Sequence, residues 1–505
     1  MNPPRANVAI ILKGSLIRLR SSAPVTARSA DGTEQTFTSG ALTVRIGGTS
    51  PTSKRSWLWF GQSSRVEPAE KLVDDLAARG LKARLWPVGL TPGEGEWQHR
   101  EYRLLVESGV EFPRWQQVNL QNQSIVPRKD PIEVTLPAEA PIGFLHIEDS
   151  GGQRETFLQK AELSSPEPLD LLQVLVGEGF HWQHHEDLSF PSPLWVAVGS
   201  DGHLQAGVEL DVEDYLASVN SSEMPAESPP EFLKAQVVAA RSWLLANWGS
   251  HHPGESYTFC AGDHCQCYYG LSRIRESSQQ AVENTRGQVL IFEGRICDAR
   301  YAKSCGGVSE PAFNVWPSLN EPYLSHRRDL PDSNPLDLSN EKTFQVFQKR
   351  SVSGDACCAP GYALLPEALA GLADLYRWTE RVSNAQLSQI IRSKSRRDLG
   401  RILDLIPKRR GPSGRLIELE IIGEKGRLTL TLELEIRRVL SRYHLPSSAF
   451  WIEREGDENV IFHGLGWGHG VGLCQVGAAA LAAKGLDYAG ILSHYYPNTR
   501  LQKIY

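Results

Sequence analysis

Between His463 and Gly485 the chain reads HGLGWGHGVGLCQVGAAALAAKG. Its glycines at Gly464, Gly466, Gly468, Gly470 and Gly472 permit positive φ and let another group come close to the backbone. The run from about Gln475 to Lys484 is rich in helix formers and is closed by Gly485. A bare loop that feeds straight into a helix predicts a surface for close approach. Its amides and the helix N-terminus suit hydroxyls or developing negative charge. A phosphate cradle is the competing use, but the sequence lacks the Gly-Lys-Ser/Thr ending that such a cradle needs.

A chain of 505 residues exceeds what one core usually holds, so two to four packed units are expected. With 53 Lys+Arg against 59 Asp+Glu, a net charge of -6, nucleic acid is excluded as a partner, because no basic excess exists to displace phosphate counterions. No run reaches the ~18 to 20 apolar residues of a transmembrane segment, and VAIIL near the start is too short for the core of an export signal.

Short β-type runs such as VAIILKGSLIRLR fill residues 1–44. WLWFGQ, the helical EPAEKLVDDLAARG with Leu72 and Leu76 on one face, and the runs KARLWPVG and EYRLLVESG then form a β-α-β-β unit over 45–120. This unit resembles a sporulation-related repeat, a small glycan-binding module. Residues 121–209 read as a polar, proline-bearing linker from Gln121 to Pro141, then strands with a hairpin at Asp201-Gly202. The expected class is α+β and multi-unit, with a β-rich first half, a small α/β module, and a mixed α+β half over 210–505.

Four stretches of that second half carry chemistry. In VEDYLASVNSSEMPAESPPEFLKAQVVAARSWLLANW, Leu233, Val237, Ala240, Leu244 and Trp248 recur at helical spacing. Arg241 stands beside that stripe, where a cation at a core boundary needs an anion. Glu223 precedes Met224-Pro225, where the chain must turn; a carboxyl shielded there has the raised pKa of a general acid, unless it merely decorates a helix end. HHPGESYTFCAGDHCQCYYG gathers His251, His252, Cys260, His264, Cys265 and Cys267, a set that suits tetrahedral zinc, with a disulfide or buried thiols as alternatives. RICDARYAKSCGGVSE ends a strand in Tyr301, Lys303 and Ser304. In the fourth, the glycine stretch and its sequel LDYAGILSHYYPNTRL, Trp467, His469, Gln475, Tyr495 and Tyr496 offer stacking and hydrogen bonds to a sugar.

EDYLASVNSSEMP, LKAQVVAARSW, HCQCYYG, YAKSCGG and GWGHGVGLCQVGAAALAAKGLDYAGILSHYYPNTRL together resemble, in order and spacing, the stage II sporulation protein D family over about 210–501. That family includes lytic transglycosylases of bacterial peptidoglycan and related amidase enhancers. The chain departs from the family by an insertion at about 326–449.

The resemblance implies that Glu223 is the catalytic acid, supported by Arg241, Tyr301 and Lys303. It also implies that Ser304, Trp467, His469, Gln475, Tyr495 and Tyr496 meet the sugar, and that a structural zinc is held by His252, Cys260 and Cys265, with His264 and Cys267 as substitutes. The implied substrate is peptide-stripped glycan, cut between N-acetylmuramic acid and N-acetylglucosamine to leave 1,6-anhydro ends. A peptidoglycan amidase is the implied protein partner, the cell envelope the implied location, and an amidase enhancer or glycan-binding wall protein the alternative function. On this reading the loop glycines make room for the glycan.

Overall fold

The computed structural model describes residues 3–50, 54–63, 66–78, 80–89, 101–108, 126–137, 142–253, 255–350 and 354–505. The fold is α+β and built from several units. Alternating apolar residues give the first strands one buried face, as in Leu16–Arg20, where Ile17 and Leu19 are buried. Arg5–Gly14 pairs antiparallel with Leu204–Asp211 within a seven-stranded sheet. A six-stranded sheet has at its centre Ala41–Ser50, paired with Leu16–Arg20 and Ile142–Asp149. Val8, Val44, Ile147, Phe157 and Val196 from the two sheets lie in one core.

Between Ala41–Ser50 and Ile142–Asp149 the chain leaves to form a four-stranded sheet ordered Ala83–Val88, Glu101–Glu107, Lys54–Ser63, Val126–Pro137. Leu72 and Leu76 of the helix Val66–Ala77 pack against Phe60, Leu104 and Val106. Of the expected linker Gln121–Pro141, residues 121–125 and 138–141 lie outside the described residues, and Val126–Pro137 is a strand paired with Lys54–Ser63.

Leu204–Asp211 runs directly into the helix Val212–Glu223. The helix Pro230–Ala246 is buried along most of its length and touches Glu276–Asn284, Gln475–Ala483 and Tyr488–Tyr495. A further unit with its own core includes the sheet Ile402–Arg410, Leu416–Gly423, Gly426–Thr431 and the helices Asn384–Ser395 and Glu433–Leu440. Its second sheet, Arg377–Ser383, Asn459–Leu465, Phe450–Glu455, carries that unit on to Leu465. No helix among the described residues is long and apolar enough to cross a membrane.

The anion that Arg241 needs is Glu213, in the first turn of the neighbouring helix. Arg241 is fully buried, and its Nε and Nη2 donate to the two Glu213 carboxylate oxygens at 3.1 and 2.5 Å. Its Nη1 donates to the carbonyls of Thr285 and Gln288. Glu213 also accepts from the Gly287 amide and the Tyr505 hydroxyl. Removing one member of such a pair strands a charge in the core. Arg241→Met should therefore lower unfolding stability by roughly 3–5 kcal/mol, whereas Arg241→Met with Glu213→Gln should lose less, as read from denaturant midpoints of both variants.

Candidate active site

Pro225 disfavours helical backbone in the residue before it, and Met224 is extended, with φ -138 and ψ 149. The helix Val212–Glu223 therefore stops with its last side chain in the wall of a cleft of about 990 Å³. Met224 is buried beneath it. The half-buried Glu223 carboxyl accepts from the Cys267 amide at 3.4 Å and is reached by the Gln475 side chain. Burial raises its pKa above the ordinary glutamate range, and the charge of Asp263 raises it further; Lys303 and these hydrogen bonds oppose the shift. Lys303 Nζ donates to the Glu223 backbone carbonyl at 2.6 Å. It thus caps the helix C-terminus while placing a positive charge near the carboxyl.

Tyr301, Lys303, Trp467, His469 and Gln475 line the same cleft. The Tyr301 hydroxyl accepts from Gln266 Nε2 at 3.0 Å. His469 accepts the Val471 amide on Nδ1 at 3.0 Å, so in its neutral form the proton is on Nε2. Burial, with Arg300, Arg415 and Arg437 nearby, holds this imidazole neutral by pushing its pKa well below the usual value.

Four expected site residues lie elsewhere. Arg241 is sealed in its ion pair with Glu213 and does not reach the cleft. Tyr495 and Tyr496 are buried and turned inward, donating to Asp329 Oδ1 at 2.7 Å and to the Arg300 carbonyl at 2.8 Å. Ser304 is buried, and its backbone exchanges hydrogen bonds with Trp467. None of these three offers a surface to a sugar in the cleft.

At two of its positions the glycine loop is bare because other protein groups come close, while Gly468 lines the cleft. Gly472 has φ 71, and a Cβ there would lie 2.0 Å from the Arg300 carbonyl oxygen. At Gly470 a Cβ would lie 2.3 Å from the Arg415 guanidinium carbon. The group that approaches is the protein itself: Tyr301–Ala302 pairs in parallel with Leu473–Cys474, and Arg415 donates to the Gly468 and Cys305 carbonyls.

Other cleft residues come from segments without a motif. Phe180 and Trp182, from the turn after Leu169–Val176, stack at 4.5 Å, and Trp182 lies 6.0 Å from Trp467. Leu432, Glu433, Leu434, Arg437 and Arg438 come from the helix Glu433–Leu440 and its entry. His444 Nδ1 lies 3.0 Å from the Gly179 carbonyl oxygen and joins these two walls. Asp263, which stands between the cysteines of the HHPGESYTFCAGDHCQCYYG loop, lines the cleft beside Glu223. The density of aromatic and histidine residues in GFHWQHHED was the available signal for the first wall.

Along one side of the cleft, His252, Cys260, His264 and Cys265 bring their ligand atoms within 4.8 Å of one another. Phe259–Cys260 is fixed there by parallel pairing with Val8 and Ala9. His252 Nε2 lies 3.3 Å and His264 Nδ1 3.8 Å from Cys265 Sγ. Bonds of about 2.0–2.3 Å from a tetrahedral zinc imply ligand separations of roughly 3.3–3.8 Å. Two sulfurs and two imidazoles at this spacing fit such an ion. His264 completes the expected three, while the Cys267 thiol turns to Asp263 Oδ1 at 3.4 Å.

Residues 200–292 match the family described as stage II sporulation protein, and residues 310–472 match a domain of unknown function (DUF8618). An uncharacterized protein of Brachyspira hyodysenteriae is 28% identical over 57% of this chain and 66% of its own. An amidase enhancer of Bacillus subtilis is 29% identical over 57% of this chain and 40% of its own. The stage II sporulation protein D of Bacillus amyloliquefaciens is 25% identical over 57% of this chain and 73% of its own. The chain spans less than two thirds of the first two relatives. Over residues 200–292, then, this chain is similar to the stage II sporulation protein family, in keeping with the resemblance that its motifs carry.

Proposed function

We propose that the protein is a lytic transglycosylase of the bacterial cell envelope that cuts peptide-stripped glycan between N-acetylmuramic acid and N-acetylglucosamine. The observation that supports this reading is the Glu223 carboxyl, set in the wall of an aromatic-lined cleft in surroundings that favour its protonated form. Protonated Glu223 donates to the glycosidic oxygen as the C1–O bond breaks. The carboxylate then takes the proton of the muramic C6 hydroxyl while O6 bonds to C1, closing a 1,6-anhydro ring without water. Tyr301 and Gln475 position the carboxyl and the sugar, and Trp467, Trp182 and Phe180 give the sugar rings apolar faces to lie on.

The amidase enhancer among the relatives supports a second reading, in which the same cleft serves a partner amidase. Purified protein acting alone on peptide-free glycan separates the two: anhydro ends seen by mass spectrometry support the enzyme. Activation of an added amidase without such ends supports the enhancer. Reducing ends instead would mean hydrolysis, with Asp263 as the second carboxyl.

In that assay Glu223→Gln should retain glycan binding and lose ~10²- to 10⁴-fold in cleavage rate. Because Glu223 begins the reaction protonated and its pKa is raised by burial, activity should persist above the ordinary glutamate range and fall as pH rises through the raised value. Lys303 lowers that pKa, so Lys303→Gln should move the falling limb to higher pH; an unmoved limb would mean that another group sets it.

We also infer a structural zinc at His252, Cys260, His264 and Cys265. Cys260→Ser should cost one equivalent of zinc by elemental analysis and lower the melting temperature, while a Cys260–Cys265 disulfide in peptide mapping would replace this reading.

A further inference from the structure

Away from that loop, the fold buries a second group of donors that no sequence spacing announces. Cys305 follows the strand that carries Tyr301, and Cys474 is the N-cap of the helix that begins with Gln475. Cys358 and Asp329 come from the chain between those strands. All four are at most 3% exposed, and their ligand atoms lie within 4.8 Å of one another. Cys305 Sγ is 3.6 Å from Cys358 Sγ and 3.3 Å from Asp329 Oδ2. We propose that Cys305, Cys358, Cys474 and Asp329 form a second metal site, for one thiophilic divalent cation of the zinc type.

The surroundings are those of metal ligands rather than of a sulfur core. Backbone amides already point at the sulfurs: Cys305 N–H donates to Cys474 Sγ at 3.2 Å, and Gly307 N–H to Cys305 Sγ at 3.4 Å. Such outer bonds orient ligands around an ion. Asp329 is oriented as well, because Oδ2 accepts from Cys358 N–H at 3.1 Å and Oδ1 from the Tyr495 hydroxyl at 2.7 Å. A carboxylate buried among thiols is costly unless a cation faces it. Among the described residues its ion pair is with His494 alone, at 3.8 Å. A divalent ion would face that carboxylate directly; with three thiolates bound the site keeps a net negative charge, which the amide donors to sulfur offset in part, and soft sulfur ligands in a set of four select zinc over the hard cations. The ion would clamp the paired segments Tyr301–Ala302 and Leu473–Cys474, on which Lys303 and Gln475 depend for their places beside Glu223.

The test is metal stoichiometry of the full chain, purified under reducing conditions and saturated with zinc, then repeated with cobalt(II), whose thiolate charge-transfer absorption grows with the number of sulfur ligands. Two equivalents are expected in the unaltered protein. Cys358→Ser should lose one, and Cys260→Ser with Cys265→Ser should retain one whose cobalt form absorbs more strongly than that of Cys358→Ser. A single equivalent that survives the Cys260→Ser, Cys265→Ser pair also supports the new site. A single equivalent abolished by that pair overturns it, as does a Cys305–Cys358 disulfide that persists under zinc. Should the variants not fold, the cobalt titration of the unaltered protein decides: a second equivalent with thiolate absorption supports the site, and saturation at one overturns it.

Discussion

Two stretches far apart in the chain, around Tyr301–Gly307 and Leu465–Cys474, lie backbone against backbone, and the rest of the cleft depends on that approach. Only glycine fits there. At Gly466 a side chain would strike the Ser304 carbonyl, and at Gly470 it would strike Arg415. The Arg415 guanidinium, contributed by the unit with the separate core, donates to carbonyls on both stretches. One buried cation thus holds the floor together and fixes the added unit to it.

On that floor the acid is tuned by opposing effects of similar kind. Burial and a neighbouring carboxylate favour the proton on Glu223, whereas a lysine and two hydrogen bonds favour its loss. On the proposed reading this carboxyl gives up a proton and then takes one back, which works best when neither state is strongly preferred. The lysine does this indirectly, since its hydrogen bond is to the backbone carbonyl and only its field reaches the side chain. Its position therefore depends on helix geometry as much as on charge.

Much of this was legible in the residues. The Met-Pro turn marked Glu223, and helical spacing marked a cation at a core boundary. Periodicity, however, says which residues share a face and not what that face meets. Arg241 found its anion in Glu213, inside the core, and not in the cleft. Tyr495 and Tyr496 likewise point inward, because each has a buried oxygen to satisfy. The wall made by Phe180 and Trp182 belongs to a β unit with no motif of its own. Cys305 and Cys358 are 53 residues apart, a spacing that carries no metal signature until topology brings them together. His264 was legible as a donor, but its choice over Cys267 was set by the turn of the loop.

The lining residues run from Val176 to Gln475 in sequence. A nascent chain stopped between Glu223 and Leu473 has the helix that bears Glu223 but lacks the strand that pairs with Tyr301–Ala302 and the Gln475 side chain that reaches the carboxyl. The pocket is complete only with the last part of the chain in place against the earlier part. Fragments and unfinished molecules therefore carry the Glu223 carboxyl without its setting, so on the proposed reading any bond-breaking capacity belongs to chains that have completed both synthesis and folding.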